Sequence, residues 1–182
     1  ISCTPTHDVP GPPFKEVLVK AKDDDNSTAD LLNSLILKSQ KILSSHPVNK
    51  KRIAEGKDPA NSIWPWSPGN KPEMKTLQEK YGISGAVISA VDLLYGIGSY
   101  AGMKAVKVEG STGLYDTNYE GKAKAAVEVL KEVDLVYLHI EASDEAGHEG
   151  DEKLKVKTIE YLDQRVVKYI VEETAKMQEE VT

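Results

Sequence analysis

The densest set of groups able to do chemistry lies in the stretch DLVYLHIEASDEAGHEGD, residues 134 to 151. A hydrophobic run delivers the chain to Ala142 and ends in a polar cluster of Asp144, Glu145, His148, Glu149 and Asp151. Asp144 and His148 are four residues apart, so on a loop or a first helical turn both can point at one ion. A carboxylate oxygen with a neutral imidazole suits zinc, manganese or a similar divalent metal. The competing reading of the same spacing makes Asp144 a helix cap and His148 a solvent-facing loop residue. Arg52, in NKKRIAEGKDPAN, is one of two arginines and offers a planar fork that fits phosphate. Its alternative is a solvated surface charge. The loop GSTGLYDTN could present backbone amides to an anion at the start of the next helix. His139 falls within an apolar run and reads as a satisfied core histidine.

The elements that must position these groups can be read along the chain. Residues 1 to 13 carry four prolines and a glycine, which excludes a helix there. FKEVLVKA alternates and predicts a strand. From Ser27 to Ser45, residues Ala29, Leu32, Leu35, Ile36, Ile42 and Leu43 recur at helical spacing, with Ser27 or Thr28 as N-cap and His46-Pro47 as the stop. Residues 47 to 72, rich in Pro, Gly, Asn and Lys around SIWPWS, read as a connection between two lobes, with Trp64 and Trp66 packed where the lobes meet. GAVISAV then reads as a buried strand of a parallel sheet. It is followed by the helix DLLYGIGSYAGM, the strand KAVKVE, the loop, the helix YEGKAKAAVEVLKEV and the strand DLVYLHIEA. A final helix starts near Glu152 and buries Ile159, Leu162, Val166, Tyr169 and Ile170. Alternating strands and helices predict an α/β fold, a layered sheet with helices on both faces, preceded by a separate lobe. Gly96 to Ala101 fits GxGxxG/A but lies inside the predicted helix, so it is not a dinucleotide fingerprint.

Composition bounds the function. The chain has 182 residues, a net charge of −6 and 40% hydrophobic residues, enough for a packed core. Lysines interleaved with acids argue against nucleic-acid binding. A single cysteine, Cys3, excludes an internal disulfide framework. No stretch has the length of a membrane span, and the first residues lack the layout of a signal peptide, so the expected compartment is the cytoplasm. GxxxxGK[ST] is absent, which excludes a P-loop kinase. The chain begins with Ile rather than Met, as an internal portion of a longer protein would.

Five segments in order resemble one family: TPTHDVPG, HPVNKKRIAEGKDPANSIW, KYGISGAVISAVDLLYGIGSYAGMKAV, EGSTGLYDTNYEGKAKAA and DEAGHEGD followed by KVKTIEYLD. The family is the archaeal-type cofactor-independent (2,3-bisphosphoglycerate-independent) phosphoglycerate mutases of the alkaline phosphatase superfamily. The resemblance implies two divalent ions, usually manganese with magnesium and zinc as alternatives, flanking a serine that passes phosphate between the hydroxyls of glycerate. It implies Asp144 and His148 as ligands of one ion and Arg52 facing the phosphorylated substrate, with Asn61, Lys122, His7 and Asp8 as further substrate-binding residues. Thr6 stands where the family has a proline. By the resemblance, the nucleophilic serine and an aspartate ligand precede this chain, while an Asp-His pair and another histidine follow it. Residues 1 to 70 would then be part of the inserted substrate-covering lobe, and 71 to 182 part of the metal-binding core. At SIWPWSPG the sequence resembles a bacterial branch proposed to contain homoserine kinases, which makes phosphate transfer to homoserine the alternative. A third reading makes the isolated chain a non-catalytic binding or assembly module.

Overall fold

The structure is a computed structural model and describes residues 1–6, 9, 11–177 and 180–182. The chain divides into two compact units, Ile1–Lys71 and Pro72–Thr182.

In the first unit, helix α1 (Ser27–Ser45) buries Ala29, Ile36 and Ser39. Ala29 and Ile36 form a small core with Val19, against which Leu18, Leu32 and Trp64 pack. Leu35 and Ile42, expected on the buried face, are 40% and 63% exposed. The N-cap is Asn26, one residue ahead of the expected caps, and the side chain that serves the helix start is Asp25, which accepts the Ser27 N–H at 2.9 Å. The expected strand FKEVLVKA is a 3₁₀ turn over Phe14–Val17 followed by a single bridge between Lys20 and Ser2. The Asn33 amide explains why no ladder forms. It accepts the Val19 N–H at 3.0 Å and donates to the Val19 carbonyl at 2.9 Å, taking both backbone groups that a partner strand would need. Pro47 does not open a loop as the sequence suggested. It occupies the first turn of helix α2 (Pro47–Ala54), where its missing N–H costs nothing, and His46 Nδ1 caps it by accepting the Val48 N–H at 3.3 Å. Buried Asn49 then bonds the carbonyls of Leu43 and Ala60 and the Ala60 N–H, fixing the chain that returns beside α2.

The second unit opens with helix α3 (Leu77–Tyr81), closed by a Thr76/Glu79 capping box and by Gly82 in the left-handed region. Strands β1 (Gly85–Ile88), β2 (Lys104–Val106) and β3 (Leu135–Leu138) form a parallel sheet in the order β2-β1-β3. Every residue of central β1 is buried, as the continuous apolar run required. Its side chains alternate. Ala86 and Ile88 pack on Ala126 and Val129 of helix α5 (Tyr119–Leu130), while Val87 meets Gly98 of helix α4 (Asp92–Tyr100). Helices therefore cover both faces. A Cβ at Gly98 would lie 2.6 Å from Val87 Cγ1, which gives this glycine a packing role. At the amino ends, Asp134 accepts both the backbone N–H and the hydroxyl of Ser84, tying β3 to β1.

The C-terminal helical run is interrupted. Helix α7 (Glu152–Leu162) passes through a π-helical turn, Asp163–Val167, into helix α8 (Lys168–Thr174). Thr158 and Val166 are buried and Leu162 and Ile170 half-buried, a spacing of four that the wider π turn keeps in line. Ile159, expected on this face, is 51% exposed because Thr158 occupies the inward position.

Candidate metal centre

Strand β3 carries the chain to the carboxyl edge of the sheet, where the His139 N–H extends the ladder by donating to the Ile88 carbonyl at 2.8 Å. The backbone then turns into helix α6 (Ala142–His148). Ala142 and Ala146, one helical turn apart, are fully buried. That anchoring sends Asp144 and His148 outward on the opposite face, also one turn apart. Asp144 Oδ2 and His148 Nε2 are 3.1 Å apart, with side chains 65% and 75% exposed. Asp144 is thus inside a helix rather than capping one. The cap of α7 is Asp151, whose Oδ1 accepts the Leu154 N–H at 2.9 Å. Among the described residues no group of three or more His, Cys, Asp or Glu side chains converges as an ion site. What the chain presents is one oxygen donor and one nitrogen donor side by side. That donor pair fits a borderline divalent metal, and two donors leave most of its coordination sphere to other groups.

Behind α6 lies a polar chain whose Ser89, His139 and Glu141 sequence reasoning missed, and which holds Lys122, expected at the substrate, in the interior instead, because α5 turns that side chain toward the end of β3. Ser89, which follows β1, places its Oγ 3.4 Å from His139 Nδ1, and His139 Nε2 is 3.0 Å from Glu141 Oε2. Lys122 of α5 is completely buried, and its Nζ donates to the His139 carbonyl at 3.4 Å. Burial pushes its ammonium below the ordinary lysine pKa, with Glu141 opposing that shift. Serine, histidine and carboxylate follow one another as in a nucleophilic triad, but Ser89 is 1% exposed and its Oγ already accepts the Val91 N–H at 2.9 Å. The serine is a turn-forming residue. His139 accordingly sits at the strand's end among polar partners instead of in the apolar middle of β3, because β3 stops at Leu138. β3 is not wholly core, since Leu135 and Tyr137 face outward, which its unbroken apolar sequence did not show.

The other expected site residues are spread over both units. Arg52, exposed on α2, donates from Nε to the Asp58 carbonyl at 2.7 Å. Asn61 is exposed and lines a cavity of about 530 Å³ with Thr6, Phe14, Gln40, Ser62 and Trp64. Trp64 belongs to the first unit's core and donates from Nε1 to the Thr4 carbonyl at 2.9 Å, while Trp66 is 52% exposed. His7 and Asp8 lie outside the described residues. In the loop before α5, Asn118 caps the helix by accepting the Gly121 N–H at 2.8 Å and donates to the Glu109 carbonyl at 2.9 Å. Of the amides at that helix start, the Gly121 N–H is therefore already taken. The first turn of α5 is clamped to the π turn by Arg165, whose Nε and Nη2 donate to Glu120 at 2.6 and 2.8 Å. Its guanidinium lies 4.4 Å from the Tyr119 ring centre and 4.9 Å from that of Tyr161. The Arg165 fork holds Glu120 below the usual carboxylate range.

Residues 16–181 match the sequence profile of the Metalloenzyme superfamily. The chain belongs to the metalloenzyme superfamily. Divalent-metal dependence comes with that membership, and the Asp144/His148 pair is a donor set suited to it. Over 180 residues, 99% of this chain, it is 52% identical to a 2,3-bisphosphoglycerate-independent phosphoglycerate mutase of Methanosarcina acetivorans, of which it covers 44%. A protein of the same name from Methanopyrus kandleri is 40% identical over 165 residues, 89% of this chain and 39% of that protein. A solved structure of a Pyrococcus horikoshii protein is 37% identical, superposes with a TM-score of 0.65, and is matched over 80% of this chain and 38% of its own length. The metalloenzyme chain thus spans less than half of each of these relatives. Among its described residues no helix is long and apolar enough to cross a membrane.

Proposed function

We propose that this chain is part of a metal-dependent phosphoglycerate mutase that interconverts 2-phosphoglycerate and 3-phosphoglycerate without added bisphosphoglycerate. The observation that carries the reading is the exposed Asp144/His148 pair on α6, in a chain half identical to proteins named for that activity. Asp144 and His148 hold one of two divalent ions, with manganese the assigned metal. Such an ion stabilises charge on phosphoryl oxygens and lowers the pKa of a bound hydroxyl. The task of this chain's own residues is placement. Buried Ala142 and Ala146 aim the two ligands, and the exposed Arg52 guanidinium, with Asn61, His7 and Asp8, gathers the phosphate and carboxylate of the substrate. Residues 1–70 act as part of the substrate-covering lobe and 71–182 as part of the metal-binding core, in a cytoplasmic enzyme.

The test is an assay of the full-length protein. Conversion of 3-phosphoglycerate coupled through enolase, with neither nucleotide nor bisphosphoglycerate, is expected to proceed and to stop on chelation. His148→Ala is expected to abolish it and to weaken manganese binding. ATP-dependent phosphorylation of homoserine with no mutase turnover would overturn the proposal.

A further inference from the structure

The backbone carrying α6 is held at two carbonyls, one on each side of the turn that leaves β3. On the sheet side, the wholly buried Lys122 donates to the carbonyl of His139. On the helix side, Lys155 of α7 donates to the carbonyl of Ser143 at 2.6 Å. The Lys155 ammonium also fills the space beside Gly147, where a Cβ would come within 3.3 Å of Nζ. Between the two anchored carbonyls lie Glu141, bonded to His139, and Ala142, fully buried. Asp144 follows directly after Ser143, whose carbonyl is the second anchor.

A lysine is an expensive way to fill a buried position. An ammonium removed from water needs compensation, and an apolar side chain of similar length would stabilise the fold at least as well. Lys122 makes one long hydrogen bond and is helped by the charge of Glu141. Its placement yields orientation of the turn rather than cohesion of the core.

From this arrangement we infer that Lys122 and Lys155 are positioning residues of the metal centre, holding the β3-to-α6 turn so that Asp144 and His148 meet the ion together. The inference rests on the metal-binding reading of that pair. Neither lysine touches the ion. Both act through the backbone that bears the ligands, as outer partners of metal ligands do.

The experiment is calorimetric titration of the full-length apoprotein with Mn²⁺, comparing wild type with Lys122→Met, Lys155→Met, Lys155→Arg, Asp144→Ala and His148→Ala. Thermal melting and circular dichroism accompany each variant. Lys122→Met and Lys155→Met are expected to stay folded while losing about tenfold to a hundredfold in Mn²⁺ affinity. Lys155→Arg, which keeps a donor, is expected to retain affinity close to wild type. In the Lys155→Met/His148→Ala double variant the two losses should fall short of adding, since both act on one ligand geometry. Wild-type affinity in both Lys→Met variants, with affinity lost in Asp144→Ala and His148→Ala, would overturn the inference and leave the metal site standing. Unchanged affinity in Asp144→Ala and His148→Ala would overturn the metal site itself, and the inference with it. Should Lys122→Met not fold, Lys155→Met against Lys155→Arg decides alone.

Discussion

At the residue scale, function depends on how few atoms this chain brings to an ion. Asp144 and His148 supply two donors, and no third His, Cys, Asp or Glu joins them among the described residues. Two exposed donors cannot enclose a cation against water. The 182-residue chain titrated alone with Mn²⁺ is therefore expected to show no tight binding, whereas the full-length protein should bind; tight binding by the isolated chain that survives His148→Ala would contradict the assignment. Arg165 supports a second prediction. Its fork on Glu120 and its stacking on Tyr119 and Tyr161 cannot be reproduced by a point-charge ammonium. Arg165→Lys should cost about 1 kcal/mol, a modest figure because the pair is partly exposed to screening solvent. Glu120 titrates below its ordinary 4.5 in the folded chain, so its contribution is complete above that value and is lost as pH falls through the lowered one. Urea denaturation should show the wild-type advantage over Arg165→Lys at pH 7 and its shrinkage towards pH 3. The Asp144/His148 pairing was legible in the sequence because a spacing of four on a helix needs no tertiary information. Lys122 read as a substrate-binding cation and is buried instead, since burial depends on what α5 packs against.

At the element scale, the sheet is organised by one strand and one glycine. The unbroken apolar run of β1 can sit only where both faces are covered, and the alternation of Ala86, Val87 and Ile88 assigns α5 to one face and α4 to the other. Gly98 lets α4 approach that strand, since a Cβ there would overlap Val87. Gly98→Ala is expected to destabilise the fold by about 1–3 kcal/mol through overpacking, although alanine is the better helix former. Gly96→Ala, with open space around its Cβ position, should be neutral or slightly stabilising. Equal melting temperatures for the two variants would refute this account of the contact. The GxGxxG-like run owes its glycine to helix–strand packing. The misread elements have separate physical causes. FKEVLVKA has the alternation of a strand, but the Asn33 amide takes the backbone groups a neighbour would use, and the Pro47 that ends α1 also starts α2.

At the scale of the whole molecule, residues 66–75 run exposed and without helix or strand across the boundary of the two units at Lys71 and Pro72. Limited trypsinolysis is expected to cut early in the irregular chain at Lys75, Lys71 being protected by the following proline, and to leave 76–182 as a lasting product. Early cuts inside β1 to α8 would contradict the division. Periodicity and helix stops by themselves determined the limits of α1 and the adjacency of Asp144 and His148, because each follows from interactions within a few residues, while the parallel α/β core was legible from the alternation of strand and helix patterns along the chain. Tertiary structure alone decided that Ser89, His139, Glu141 and Lys122 meet behind α6, that Ile159 yields its place to Thr158 across a π turn, and that Asn33 replaces a strand partner. Those outcomes depend on which surfaces exclude water from one another and on where a buried polar group finds its partner, and neither is written in local spacing.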